Sequence, residues 1–373
     1  MIPFNKPYLT GQEVKRINEA HELGQLAGDG HFTQLCSRWL ESNTGSHRVL
    51  LTHSCTAALE MAAILLNISP GDEIIMPSYT FVSSANAFVL RGGVPVFVDI
   101  RNDTLNIDET LIEEAITPKT KAILPVHYAG IACEMDVIMD IARRHNIFVI
   151  EDAAQGIMSK YNDMPLGSIG DLGCISFHET KNIISGEGGA LLINNKNFVE
   201  RAEILREKGT DRTKFFRGEI DKYSWQDIGS SFLPGETMAA FLYAQLEDAN
   251  SITADRIKIW NQYDENFSIL RKDNSSFSLP VIPKNCIGNG HLYYLLMRNA
   301  QTRKNFINHM RNNGAQCIFH YIPLHSSFGG KKYGRMHGSL QVTEDLSSRI
   351  VRFPLWIGVD VERIIKAVKI FKE

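Results

Sequence analysis

Ile147-Phe148-Val149-Ile150-Glu151-Asp152-Ala153-Ala154-Gln155 places four apolar residues in a row and ends them on two acids. A strand with one wet face alternates apolar and polar side chains, so an unbroken apolar run predicts a strand covered on both faces, as in a largely parallel sheet wrapped by helices. Working outward, similar β-rich runs recur at Arg48–Thr52, Glu73–Met76, Val94–Val98, Ala122–Val126, Cys174–Phe177 and Ala190–Ile193. Amphipathic segments separate them: Thr56–Leu66 carries Leu59, Ala62, Ala63 and Leu66 at helical spacing and stops at Ser69-Pro70-Gly71-Asp72, and Met135–His145 repeats the arrangement. The alternation predicts an α/β fold whose mostly parallel sheet has seven strands.

After Glu236 the alternation gives way to a long helical stretch towards Leu270, with a break expected near Asn250-Ser251, and then to a loop at Asn274-Ser275-Ser276. The remainder reads as a smaller α+β unit: a strand near His291–Met297, a helix over Thr302–Arg311, a strand at Gln316–Phe319 and closing helices over Thr343–Val351 and Val361–Phe371. The expected division is a large unit, residues 1–245, followed by a small C-terminal unit, residues 246–373.

The 373 residues are 44% hydrophobic and 22% charged, a composition able to bury a large core and incompatible with general disorder. Lys and Arg total 39 against 42 acids, a net charge of −3, with no basic stripe to mark a nucleic-acid partner. No apolar run approaches the roughly 20 residues of a membrane helix, and the opening Met1-Ile2-Pro3-Phe4-Asn5-Lys6 lacks the features of a signal peptide, so the expected location is the cytoplasm, with no membrane partner. Six scattered cysteines without a C-x-x-C pair fit reduced thiols, and no metal site is expected.

In open α/β sheets ligands bind beyond the carboxyl ends of the strands, and those positions are polar here. Arg48–Thr52 is followed by His53-Ser54-Cys55-Thr56 at a helix start, which suits a phosphate or serves as a plain N-cap. The segment lacks both G-x-G-x-x-G and G-x-x-x-x-G-K-[ST], which argues against a dinucleotide or P-loop site. Asp152 follows a buried strand and either meets a cation or caps a helix. Lys181, on the Gly-flanked turn after Phe177, is an odd surface charge and a natural imine-forming amine. A phosphate-binding helix start, an Asp and a Lys together meet the needs of pyridoxal 5′-phosphate: an anchor, a carboxylate for the pyridine nitrogen and an amine for the aldehyde. The same lysine, once displaced, is the natural base for shuttling the Cα proton.

Six segments then carry a resemblance over essentially the whole chain: Gly28-Asp29-Gly30, Ser54-Cys55-Thr56-Ala57-Ala58, Pro77-Ser78-Tyr79-Thr80-Phe81, Pro125-Val126-His127, Glu151-Asp152-Ala153-Ala154-Gln155 and Ser176-Phe177-His178-Glu179-Thr180-Lys181-Asn182. The chain resembles the DegT/DnrJ/EryC1/StrS sugar aminotransferases, which are fold-type I pyridoxal-phosphate enzymes, and within them the dTDP-4-amino-4,6-dideoxygalactose transaminases. The resemblance implies that Lys181 is the catalytic lysine, Asp152 the partner of the pyridine nitrogen, Gln155 a contact to the phenolic oxygen and Phe81 a stacking residue. Cys55, Thr56 and Ser176 would hold the phosphate. His127 is read either as a neighbour of the cofactor or as a satisfied structural histidine.

Many members carry Gly-x-Asn-x-Arg, whose asparagine reaches the phosphate in the neighbouring subunit; the run here is Gly229-Ser230-Ser231-Phe232-Leu233, with Ser231 at the asparagine position. His320 and Tyr321, from His320-Tyr321-Ile322-Pro323-Leu324-His325, are expected on the substrate side of the cleft, and Arg212 and Lys214 at the nucleotide diphosphate. For those two cations a solvated charge run is the alternative. The implied enzyme is a homodimer with shared active sites that moves an amino group from L-glutamate to a nucleotide-linked 4-keto-6-deoxy sugar, with dTDP-4-dehydro-6-deoxy-D-glucose as the expected acceptor. The implied role is in surface polysaccharide synthesis. The alternatives are C3 amination, another nucleotide, or a non-catalytic protein that keeps the fold; Lys181 stands where the dehydratase branch has histidine.

Overall fold

The computed structural model describes residues 1–273 and 276–372. Its strands, in chain order, are β1 (Arg48–Thr52), β2 (Glu73–Pro77), β3 (Val94–Val98), β4 (Thr120–Ile123), β5 (Phe148–Asp152), β6 (Lys160–Tyr161), β7 (Met164–Pro165), β8 (Leu172–Ser176), β9 (Gly189–Ile193), β10 (Phe277–Ser278), β11 (Cys286–Ile287), β12 (Tyr293–Met297), β13 (Arg335–Met336) and β14 (Ile350–Phe353). The large sheet has the order β1-β9-β8-β5-β4-β2-β3-β13. β9 runs antiparallel to β1 and β8; the other neighbours pair in parallel.

Side chains one apart on a strand fall into different apolar cores. Val49, Leu51 and Val149 pack on one face, while Leu50 and Ile150 pack on the other. This two-sided burial is the physical content of the unbroken apolar runs. All seven expected strands are present, Arg48–Thr52 and Val94–Val98 with the expected bounds and the other five with shifted ends. The strand expected at Ala122–Val126 is Thr120–Ile123, although Val126 still bridges Asp152. Ile147–Ile150 becomes Phe148–Asp152, so the two acids finish the strand and do not follow it. The eighth strand, β13, comes from the C-terminal part of the chain. Its Arg335 forks onto both oxygens of Glu73 at 2.8 Å, locking the two-residue strand beside β3.

The long helical stretch is two helices, Glu236–Glu247 and Ala249–Asp273, divided at Asp248. Asn274 and Ser275 of the expected loop lie outside the described residues. Beyond them β10, β12 and β14 form an antiparallel sheet, with β12 in the middle, packed on the second of those helices and on Ala300–Asn312 and Val361–Lys369. Tyr263 and Phe267 stack on Tyr293 at 5.3 and 5.6 Å between ring centroids.

Two readings of this unit need correction. Gln316–Phe319 is not a strand: its backbone is shared between Ile2, on one side, and Arg352, on the other, through single bridges that build no ladder. The helix expected to reach Val351 stops at Arg349, because Ile350 and Val351 pair with Leu296 and Leu295 as the start of β14.

Candidate active site

The carboxyl ends of β1, β2, β5 and β8 emerge at one edge of the sheet, and a cleft of ≈ 990 Å³ opens there. Two helices begin in its wall, Cys55–Leu65 and Val82–Val89. Ser54 caps the first by accepting from the Ala57 N–H at 3.1 Å, while the N–H groups of Cys55 and Thr56 have no acceptor among the described residues. The Thr56 and Ser83 hydroxyls lie 2.8 Å apart and tie the two helix starts together. Free N–H groups and helix dipoles on one wall make it an anion seat. Gly189 maintains this approach: a Cβ there would stand 2.4 Å from the Cys55 nitrogen.

Asp152 ends β5, is 5% exposed, and accepts from Ser84 Oγ at 2.6 Å and the Ala154 N–H at 3.2 Å. Lys181 lies in the turn after β8, and its Nζ has no hydrogen-bond or ion-pair partner among the described residues. Burial holds the amine below the usual lysine range; the charge of Asp152 opposes the shift and that of Arg352 adds to it. Burial, with the Asp152 charge behind it, raises the Cys55 thiol well above the ordinary cysteine value, so Cys55 is a protonated wall group and no nucleophile.

The cleft gathers Cys55, Thr56, Phe81, Asp152, Gln155, Ser176, Lys181, His320 and Tyr321 from their separate stretches of sequence. Phe81, 57% exposed, presents its ring at the mouth, 6.4 Å from Tyr321. Gln155 accepts from the Ala129 N–H at 2.7 Å and donates to the Tyr321 hydroxyl at 3.1 Å. Tyr321 stacks on His320 at 3.6 Å, with a backbone φ of 30°.

The structure does not bring Ser231, Arg212 and Lys214 to the lining of their own chain's cleft. Ser231 is exposed and bridges Glu207, while Arg212 faces Glu207 at 3.9 Å and Lys214 pairs with Glu200. His127 is structural: its Nε2 meets Glu151 at 2.8 Å and its Nδ1 accepts from the Cys133 N–H at 3.2 Å, with the His127 and Glu151 side chains wholly buried. Glu151 also takes the N–H groups of Gly167, Ile169 and Gly170, so the first acid of the pair braces a loop and leaves Asp152 to the cleft.

Sequence reasoning missed Ser84, Arg256, His291 and Arg352, all of which line the cleft. Burial, then the charges of Lys181, Arg256 and Arg352, hold His291 well below the ordinary histidine value; burial does the same for His320, so both are neutral at pH 7. Arg352 had a legible signal, a charge inside the apolar run Ile350-Val351-Arg352-Phe353. Ser84 had none.

A free lysine amine, a buried carboxylate and an unsatisfied helix start around one cleft define a pyridoxal-phosphate-dependent transferase. The chain belongs to the DegT/DnrJ/EryC1/StrS aminotransferase family, whose pattern matches residues 7–372. It is 36% identical over 378 residues to an uncharacterized protein of Methanocaldococcus jannaschii, covering 99% of this chain and 97% of that one. It is 31% identical over 369 residues to the GDP-perosamine synthase of Escherichia coli O157:H7, covering 98% and 96%. A solved Streptococcus pneumoniae structure in its PLP form superposes with a TM-score of 0.87 at 26% identity, covering 100% of both chains.

The residues present fit the cofactor. Lys181 would hold its aldehyde carbon, Asp152 its ring nitrogen, and the Cys55–Thr56 helix start its phosphate. When bound, pyridoxal phosphate supplies an electron sink for the carbon that loses its proton. The chain's own residues would do the rest: Ser84 donates to Asp152 and keeps it oriented, and the Lys181 amine, held below the usual lysine range by burial, would move the proton.

Proposed function

We propose that this aminotransferase takes its amino group from L-glutamate and delivers it to C4 of a nucleotide-linked 4-keto-6-deoxy sugar. The observation that carries the reading is the size of the cleft around Lys181, ≈ 990 Å³, at the top of the roughly 300–1,000 Å³ usual for one ligand. A cofactor and a further bulky ligand fit there together. Residues 1–245 act as the cofactor unit, and residues 246–373 close the substrate side through His320 and Tyr321. The chain works as a homodimer in which Ser231, Arg212 and Lys214, turned away from their own cleft, serve the partner's cofactor phosphate and nucleotide diphosphate.

The acceptor proposed first is dTDP-4-dehydro-6-deoxy-D-glucose, aminated to dTDP-4-amino-4,6-dideoxy-D-galactose for a surface polysaccharide. A GDP-linked sugar is the second reading, favoured by the name of the E. coli relative. A panel of dTDP-, UDP- and GDP-linked keto sugars, incubated with glutamate and pyridoxal phosphate and followed by NMR of the products, separates the two. Amination of none of them sinks the proposal. Lys181→Ala is expected to lose the visible absorption band of the bound cofactor together with turnover; a variant that aminates normally would remove Lys181 from the mechanism.

A further inference from the structure

Guanidinium groups in this chain commonly end on carboxylates, as Arg335 does on Glu73 and Arg206 on Asp29. Two that line the cleft do not. Among the described residues neither Arg256 nor Arg352 reaches an acidic side chain. Arg256 is sealed into a joint, its Nε and Nη2 donating to the carbonyls of Gly290 and His291 at 3.2 and 2.7 Å. Arg352 is held more lightly. Its Nε and Nη2 share one acceptor, the Phe319 carbonyl, at 3.3 and 3.1 Å, and its other face lies 4.8 Å above the Phe4 ring. Strand alternation turns it away from its buried neighbours Val351 and Phe353, and Nη1 has no partner among the described residues. A half-buried cation without an anion is costly, and an anionic ligand removes that cost.

Four anionic groups come to this cleft in an aminotransferase reaction of L-glutamate with a nucleotide sugar: the cofactor phosphate, the diphosphate and the two carboxylates of the donor. The cofactor phosphate is served by the helix start at Cys55 and Thr56. The diphosphate hangs from C1 of the sugar, across the ring from the C4 that reacts. Only the α-carboxylate of an amino donor sits on the very carbon that carries the reacting amine. Arg352 lies close enough to Lys181, His291 and His320 for its charge to act on all three, which puts it at the reacting end of the cleft.

We infer that Arg352 seats the α-carboxylate of the amino donor, with Arg256 strengthening the positive field behind it. This rests on the aminotransferase reading of the cleft. It also answers a difficulty of that reading: one cleft must accept an anionic amino acid and then a sugar whose reacting end is neutral. When the sugar is bound, the Phe319 carbonyl still accepts from Nε and Nη2 of Arg352, which offsets part of the cost of the unpaired charge in the second half-reaction.

The test measures the two half-reactions separately in single turnovers of the holoenzyme. The donor half is read as 2-oxo acid released from L-glutamate, L-glutamine and L-alanine, all of which carry an α-carboxylate. The acceptor half is run in reverse from the amino sugar nucleotide that the wild-type enzyme forms. In Arg352→Gln the half-saturating donor concentration is expected to rise about 30-fold, because a charge-assisted pair is lost. Arg352→Lys keeps the charge without the fork and should fall between the two. Calorimetric binding of maleate, an unreactive dicarboxylate, should weaken in the same order. The shift is expected in the donor half alone. Unchanged donor saturation in Arg352→Gln, or equal shifts in both halves, overturns the assignment while leaving the proposed function standing. A wild-type holoenzyme that releases no 2-oxo acid from any of the three amino acids overturns the proposed function, and the assignment with it.

Discussion

Asp152 is held by two donors, and one of them, Ser84, stands in a helix that begins at the cleft wall and also meets Thr80 at 2.7 Å. A hydrogen bond to a charged group contributes about 1.5–3 kcal/mol. Ser84→Ala is therefore expected to reduce kcat/KM about tenfold and to weaken cofactor retention, measured by steady-state kinetics and by dialysis of the holoenzyme. Unaltered values in both would show that Asp152 keeps its place without this bond. Lys181 allows a prediction about pH. Burial lowers its pKa in the folded chain, so between that value and the ordinary lysine value the unfolded chain binds more protons, and stability rises with pH. Below that window both states are charged and the full cost of burying the amine is present. In cofactor-free protein Lys181→Met should raise the urea midpoint at pH 7, with the gain shrinking as the pH approaches roughly 10. A gain independent of pH would place its origin elsewhere. That Lys181 and Asp152 belong to the cleft could be read from sequence because each lies at or just past a strand end, whereas Gln155 and Ser176 came only from the family resemblance. Arg256 and His291 could not be read at all, and Arg352 showed only as a charge inside an apolar run, because their meaning depends on how a separate sheet meets the first.

Among the elements, the helix His31–Thr44 shows what a sequence hides. Its start has no side-chain cap of its own, yet the Glu236 carboxylate accepts from the N–H groups of Gly30, Phe32 and Thr33 and from the Thr33 hydroxyl. Glu236 itself stands in the first turn of the helix Glu236–Glu247, so one buried acid serves two helix starts. Removing it leaves several donors unsatisfied, and Glu236→Ala is expected to cost about 3 kcal/mol in urea unfolding. Glu236→Gln, which keeps one neutral acceptor, should cost less; equal losses would mean that a neutral acceptor recovers nothing and that the whole effect comes from the charged carboxylate. Strand cores were legible because burial on both faces writes itself into four or five consecutive residues, as in Phe148–Asp152. The two-residue β13 was not, since Arg335 and Met336 carry no pattern and owe their place to the distant Glu73. Ile350 and Val351 were read as helix because the preceding periodicity ran into them, and cross-strand pairing with Leu296 and Leu295 prevailed.

At the scale of the molecule, a net charge of −3 conceals a cleft lined by Lys181, Arg256 and Arg352 and by one buried acid, Asp152. The charges are sorted by place: acids neutralise most other guanidiniums, and the cleft keeps its cations for ligands. A second imbalance lies outside. Trp225 is 81% exposed and Phe328 85%, with Phe216, Tyr223 and Ile228 also uncovered in the segment that carries Arg212, Lys214 and Ser231. Large apolar groups in water mark a surface that meets another protein, and a second copy of the chain is the partner proposed above. Sedimentation should then give a dimer, and the sharing of sites can be tested by hybrids. Lys181→Ala lacks its own amine but retains Arg212, Lys214 and Ser231; the triple variant Arg212→Ala, Lys214→Ala, Ser231→Ala has the reverse defect. Each alone should be nearly inactive. In an equal mixture reassembled at random, half the dimers are hybrids, and each hybrid holds one site with both contributions intact, so about a quarter of wild-type activity should return. Sites complete within one chain would leave the mixture no more active than the sum of its parents, and the assignment of these three residues to the partner's cleft would fall.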